Sequence, residues 1–278
     1  SEIMNQLKIV KICLTFSFLM LSIYSQANFT QLESFGDNPG NLSASYLLPQ
    51  TRHEPLVIFL HGCQQNAKQT AITSGLLALA ELNNFALLLP QQNKANNVQQ
   101  CFNWFSSQDI NKEQGENLSL KNMILTMQEL TQSNEVYIMG VSAGGAMVSN
   151  LVINYPNLFT GAAIIAGLPY PCANSLIKAI SCMRNGPNKS VADLIDFVKQ
   201  QNQQQSYWPK LSIWSSEKDQ TVNPKNSEKM TQQWLGLMEL SPQSRVQRHN
   251  GYQVTQWYNA AGNSQLQWVQ LDELTHGL

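Results

Sequence analysis

Apolar and polar positions along this chain alternate between two patterns. The first is the short unbroken apolar run, at residues 56–60, 85–89, 136–139 and 162–165, with a further strand at 211–214 interrupted only by Ser212. Runs of four or five consecutive hydrophobic residues read as strands buried on both faces, as a parallel sheet covered by helices requires. Pro90 is expected to stop the second run. Between the runs lie segments with helical spacing: 70–83; 118–130, with Leu120, Ile124, Met127 and Leu130 on one face; 143–154; 190–203, capped by Ser190; and 227–237. The stretch 91–108 is rich in amides and reads as loop. Strands alternating with helices predict an α/β fold, a mostly parallel central sheet with helices on both faces. The last third changes period. Residues 245–248 and 253–258 flank Asn250-Gly251, which predicts a late hairpin insertion, and 265–271 alternates once more as a final strand.

The first residues carry a different signal. Lys8 and Lys11 precede an apolar run at 12–23, and Ser25-Gln26-Ala27 places small residues at a cleavage site. The run is short of the roughly 20 residues that cross a bilayer. It therefore predicts a signal peptide over 1–27 and no stable membrane insertion after cleavage. The protein is then secreted or periplasmic, with one domain over 28–278. No repeat and no linker divides that domain.

Export changes the reading of the cysteines. With Cys13 in the leader, four remain: Cys63, Cys101, Cys172 and Cys182. An even number in an exported chain favours disulfides. Of the three connectivities, Cys63–Cys101 with Cys172–Cys182 is favoured because the second pair closes a short local loop. No spacing is C-x-x-C, and His53, His61, His249 and His276 are scattered, so no metal site is expected and no cofactor is implied. Charge narrows the classes further. Only 13% of residues are charged, against roughly 25% in an average domain, while 30 Gln and 27 Asn fill the polar positions. With a net charge of −1 and no Lys/Arg run, a nucleic-acid partner is excluded.

The chemistry is carried by Gly140-Val141-Ser142-Ala143-Gly144, between the strand at 136–139 and the helix at 143–154. A G-x-S-x-G in that context is a nucleophile elbow of the α/β-hydrolase fold: the serine sits at the apex of a sharp turn, and the glycines stand where a Cβ would collide with neighbouring chain. The helix N-terminus behind it offers free N–H groups to an oxyanion. A serine hydroxyl needs a base, and the base an orienting acid, in the chain order Ser, acid, His. Of the two later histidines, His249 lies at the hairpin turn, whereas His276 follows the last strand and is the better base. Asp219, in the loop after the strand at 211–214, is the expected acid; Glu217 and Asp272 compete for the role. The second oxyanion donor is expected from Leu60-His61-Gly62-Cys63-Gln64-Gln65. Gly62 permits close approach, and the Cys63 N–H joins that of Ala143. The His61 side chain reads as structural.

Five blocks in order resemble a family. These are His61-Gly62-Cys63-Gln64-Gln65, Cys101-Phe102-Asn103-Trp104-Phe105, the elbow continued by Gly145-Ala146-Met147, Ala166-Gly167-Leu168-Pro169-Tyr170, and Asp219-Gln220-Thr221-Val222-Asn223-Pro224. Together they look like the polyhydroxybutyrate-depolymerase-type esterases, secreted α/β-hydrolases that also resemble feruloyl and acetylxylan esterases. The resemblance implies Ser142 as nucleophile, Asp219 as acid, His276 as base, and the amides of Cys63 and Ala143 as oxyanion donors. It also implies Cys101 as disulfide partner of Cys63, with Trp104 and Gln64 as candidate substrate contacts. Two departures stand out: Ser215-Ser216 replaces the family's His-Gly pair, and Leu274-Thr275 precedes His276 where the family has a Gly-rich approach. The implied activity is hydrolysis of poly- or oligo-hydroxyalkanoate esters. Alternatives are a feruloyl- or acetylxylan-type carbohydrate esterase, or a degenerate hydrolase fold that only binds.

Overall fold

The computed structural model describes residues 29–276. The leader expected over 1–27 lies outside the described residues. Ten strands form one sheet in the order β1-β2-β4-β3-β5-β6-β7-β10-β9-β8. They are β1 (Thr30–Gln31), β2 (Ser43–Leu47), β3 (Leu56–Leu60), β4 (Ala86–Gln91), β5 (Val136–Val141), β6 (Gly161–Ile165), β7 (Lys210–Ser216), β8 (Arg245–His249), β9 (Tyr252–Tyr258) and β10 (Ser264–Leu271). Strands β4, β3, β5, β6, β7 and β10 run parallel; β1 and β2 extend one edge antiparallel, and β9 and β8 the other. The helices are α1 (Ala67–Thr73), α2 (Leu76–Asn83), α3 (Ser107–Ile110), α4 (Gly115–Thr131), α5 (Ala143–Asn154), α6 (Leu176–Asn185), α7 (Val191–Gln201) and α8 (Lys225–Leu237).

Continuous apolar strands serve two cores. In β3, Leu56, Ile58 and Leu60 face the larger core, built with Leu120 and Met127 of α4, Met147 and Leu151 of α5, Val198 of α7 and Trp234 of α8. Phe59 faces the other way, joining Leu87, Leu89, Val141 and Ile165 under Ala67 and Ala71 of α1 and Leu76 and Ala80 of α2. Burial on both faces explains why these strands do not alternate. The hairpin at Asn250-Gly251 joins β8 to β9, and β9 then pairs antiparallel with β10. Among the described residues no helix is long and apolar enough to cross a membrane.

Two local expectations are corrected. Strand β4 runs through Pro90 to Gln91. Ala44, opposite Pro90, turns its carbonyl toward β1, where it accepts from the Leu32 N–H. The missing N–H of Pro90 therefore points to the β3 side, where the ladder has already ended at Leu88. The helix expected over 70–83 is two helices, because Gly75 takes a left-handed φ of +81° between them. The break turns the chain so that α1 and α2 both lay small residues on the sheet.

The topology fixes where a site can form. From β3 the chain goes out to β4 on one side, then returns to β5 on the other. The loops leaving β3 and β5 diverge and open a crevice at the carboxyl ends of the strands, the usual ligand position in such sheets.

Candidate active site

Ser142 stands at that crevice, between β5 and α5. Its backbone is φ 56°, ψ −118°, a conformation costly for a residue with a Cβ. The turn is held from both sides: the Ser142 N–H donates to the Ile165 carbonyl, and the Ser142 carbonyl accepts from the Ala146 N–H, each at 2.9 Å. A Cβ on Gly140 would lie 2.5 Å from the Gly144 backbone, and one on Gly144 2.1 Å from the Leu60 carbonyl oxygen. Only glycines let the strand, the turn and the end of β3 pack this tightly.

His276, after β10, and Asp219, after β7, converge on the serine. His276 Nε2 lies 2.8 Å from Ser142 Oγ, and His276 Nδ1 lies 2.9 Å from Asp219 Oδ2. Asp219 Oδ1 accepts from the Thr221 and Val222 N–H groups at 2.8 and 2.9 Å. Burial alone would raise the Asp219 carboxyl, but the hydrogen bond from His276 and the two backbone donors outweigh it and hold the group below the ordinary carboxylate range. An ionised Asp219 fixes the proton of His276 on Nδ1 and leaves Nε2 free to accept from the serine.

The loop after β3 lies against Ser142. A Cβ on Gly62 would be 3.5 Å from Ser142 Cβ. Among the described residues the N–H groups of Cys63 and Ala143 donate to no protein acceptor, and Ala143 opens α5, where the helix dipole favours negative charge. Cys63 is bonded to Cys101, and Cys172 to Cys182. His61 is fully buried: its Nδ1–H donates to the Gly62 carbonyl at 2.6 Å and its Nε2 accepts from the Gln92 N–H at 3.1 Å. Burial lowers its pKa, so it is neutral.

The other residues singled out by the sequence have the following surroundings. Gln64 is exposed, with its N–H on the Gln99 carbonyl at 2.7 Å and its side chain on that of Gln99. Trp104 is 6% exposed and packs in the larger core, edge-on to Phe105. Asp272 pairs with Arg248, and His249 stacks on Tyr252 at the hairpin. Ser215, at the departure from the family pattern, accepts from Trp268 Nε1. Sequence reasoning missed the bracing of Asp219, for which Asp219-Gln220-Thr221, an acid accepting from the N–H two residues on, was the available signal.

The sheet order, the elbow after β5 and the helices on both faces define an α/β-hydrolase fold. Within that class the chain belongs to the family described as Esterase PHB depolymerase, whose profile matches residues 42–253, a span that holds Ser142 and Asp219. Poly(3-hydroxyalkanoate) depolymerase C of Paucimonas lemoignei is 39% identical over 221 residues, 78% of this chain and 53% of that protein. The chain thus spans about half the length of that relative. Feruloyl esterase B of Thermothelomyces thermophilus is 27% identical over 225 residues, 76% of each chain. In fold, the acetyl xylan esterase from Aspergillus awamori superposes with a TM-score of 0.80 at 20% identity, covering 90% of this chain and 94% of that one.

Proposed function

We propose that this chain is an extracytoplasmic serine esterase that cleaves esters of hydroxyalkanoate oligomers or polymers. The observation that carries the reading is the line from Ser142 Oγ through His276 to Asp219, at 2.8 and 2.9 Å, beside the loop that holds the Cys63 N–H and the helix start that holds the Ala143 N–H. Ser142 Oγ attacks the ester carbonyl while its proton passes to His276 Nε2. The carbonyl oxygen, now anionic, accepts from the N–H groups of Cys63 and Ala143. His276 returns the proton to the leaving alkoxide, which departs as the alcohol and leaves an acyl-serine. Water then attacks that ester, again deprotonated by His276, and the acid departs as Ser142 regains its proton. Asp219 stays ionised throughout and stabilises the imidazolium. The two oxyanion donors contribute most where charge develops; removing one comparable donor costs about 3 kcal/mol.

Hydroxyalkanoate is the favoured acyl class because the relative acting on poly(3-hydroxyalkanoate) is more similar over the shared region, 39% against 27% for the feruloyl esterase. The likeness in fold to an acetyl xylan esterase supports the second reading, a carbohydrate esterase on the same machinery. Two disulfides and the leader motif at 1–27 support action outside the cytoplasm.

The test is labelling with a fluorophosphonate, followed by rates on 3-hydroxybutyrate oligomers, p-nitrophenyl esters and methyl ferulate. Labelling is expected in the wild type and lost in Ser142→Ala. A folded wild type that does not label refutes the esterase reading and leaves the binding-only alternative. Faster turnover of ferulate moves the substrate to the carbohydrate esterases.

A further inference from the structure

One buried acid stands outside the triad. Glu116, in the first turn of α4, is 1% exposed, and the chain closes over it at Gly40, where a Cβ would lie 2.6 Å from Glu116 Cα. Its partners are all donors. Oε1 accepts from Gln92 Nε2 at 2.5 Å and from Asn103 Nδ2 at 2.8 Å; Oε2 accepts from the Asn103 N–H at 2.8 Å.

Both partners lead to the oxyanion loop. Gln92 is fully buried, and its N–H holds His61 Nε2; the other nitrogen of that ring holds the Gly62 carbonyl at 2.6 Å. That carbonyl and the Cys63 N–H belong to one planar trans peptide and point in opposite directions. Whatever fixes the Gly62 oxygen therefore aims the Cys63 N–H. The second route runs through the loop at 101–103: Gln92 Nε2 also donates to the Cys101 carbonyl at 3.2 Å, and Cys101 is bonded to Cys63 itself. Glu116 thus grips the Gly62–Cys63 peptide from its oxygen end through Gln92 and His61, and from its side chain through the disulfide.

We propose that Glu116 is a positioning residue for the oxyanion donor at Cys63, acting through Gln92–His61 and through Asn103 and the Cys63–Cys101 bond. The inference rests on the esterase reading. A carboxyl suits the place because both its oxygens accept, the protonated one through its remaining lone pair, and together they meet three donors; a glutamine would set an N–H₂, which cannot accept, against one of them. Burial pushes the Glu116 carboxyl up to about 8 even against those donors, which measures how fully the group is withdrawn from water.

The test uses Glu116→Gln in the full chain, with Val198→Ala in α7 as a control that loosens the core away from the site. We expect Glu116→Gln to lower kcat about tenfold, since misplacing a catalytic group by fractions of an ångström costs factors of that order. KM should stay within about twofold, and the inhibition constant of an alkylboronic acid should rise in step with the fall in kcat. Amide hydrogen exchange at 61–65 should accelerate. Val198→Ala should change neither kcat nor that exchange. If Glu116→Gln does not fold, Asn103→Ala removes one donor and should give the same split at smaller size. Unchanged kcat, equal losses in the control, or unchanged exchange at 61–65 overturns the proposal. A wild type that cleaves no ester refutes the esterase reading instead, and the exchange at 61–65 still decides whether Glu116 holds the loop.

Discussion

Replacing Asp219 by Asn changes one atom and tests the whole proton path. Asp219 Oδ1 already receives two backbone N–H groups, from Thr221 and Val222. An asparagine must keep its oxygen there, because its N–H₂ would otherwise face two donors. The amide nitrogen is then turned toward His276 Nδ1, where Oδ2 stood at 2.9 Å. A donor at that point forces Nδ1 to accept and moves the ring proton to Nε2, 2.8 Å from Ser142 Oγ. The base then presents a proton to the nucleophile it should deprotonate. The same substitution in a comparable triad lowers kcat about 10⁴-fold, or about 5.5 kcal/mol of transition-state stabilisation. Shape and burial are conserved, so the thermal midpoint should move little. The assay is steady-state hydrolysis of a short p-nitrophenyl ester alongside a melting curve. A kcat within tenfold of wild type, together with a collapse in Glu217→Gln or Asp272→Asn, would show that the carboxylate at 2.9 Å is not the orienting one.

Three further outcomes are expected. Gly144→Ala places a Cβ 2.1 Å from the Leu60 carbonyl oxygen; because backbone cannot yield as a side chain can, a loss of more than about 3 kcal/mol is expected in urea unfolding, and near-normal stability would disprove the tight elbow. Glu116 sets a pH dependence. Its pKa rises from 4.5 to about 8 on folding, so between those values the folded protein keeps a proton that the unfolded chain has released, and stability falls as pH rises. His61, kept neutral by burial, works in the opposite sense as pH drops through its unfolded value of 6.5. The difference between wild type and Glu116→Gln isolates the first effect: the wild-type midpoint should decline relative to the variant from pH 5 to 8, and parallel curves would contradict it. Finally, Cys101→Ala opens a bond of sequence separation 38, which should cost roughly 2 to 4 kcal/mol, with activity falling at temperatures where circular dichroism still reports a folded chain; activity and fold lost together would show that the bond serves stability alone.

What was legible in the chain, and what was not, follows from how each element is buried. Strands β3, β5 and β6 announce themselves because they are apolar along their length, as burial on both faces of the sheet requires. Ser190 announces α7 because its hydroxyl accepts from the Asp193 N–H while Asp193 returns the bond, a pattern carried by neighbouring residues. Helix α6 was missed because only its small apolar positions, Ala179 and Cys182, are buried in the core. Leu176 and Ile177 are exposed, and the helix is held through Cys182 and through Asn226, which donates to the Cys182 carbonyl. Strand β2 was missed because Ser43, Ala44 and Ser45 carry no apolar run; it is defined by its neighbours β1 and β4. For the site, the elbow motif and the chain order Ser, acid, His pointed to the three side chains that the fold brings together. The network behind Cys63 had no comparable signal, since a glutamine and a histidine 31 apart in sequence meet only when β3 and β4 pair.

That network also gives a physical role to the low charge and high amide content. The end of β4 and the loop leaving it carry Gln91, Gln92, Asn93, Asn96, Asn97 and Asn103. Each amide both donates and accepts, so the group can close on itself without counterions. Asn96 Nδ2 donates to Gln92 Oε1, Asn97 Nδ2 to Asn103 Oδ1, and Gln91 Nε2 to the Gln92 carbonyl. Such closed networks satisfy buried polar atoms where lysine or arginine would need a paired acid and would bear the cost of desolvation. They leave a surplus of donors, and Glu116 is where that surplus ends. Apart from the exposed Lys94, a loop built this way carries no formal charge of its own. In the proposed mechanism the field at the reacting carbonyl is then set by two backbone N–H groups and the N-terminus of α5, whose positions are fixed by the fold rather than by mobile side chains. An amide-rich loop closed on Glu116 is thus a rigid mount for the oxyanion donor proposed at Cys63.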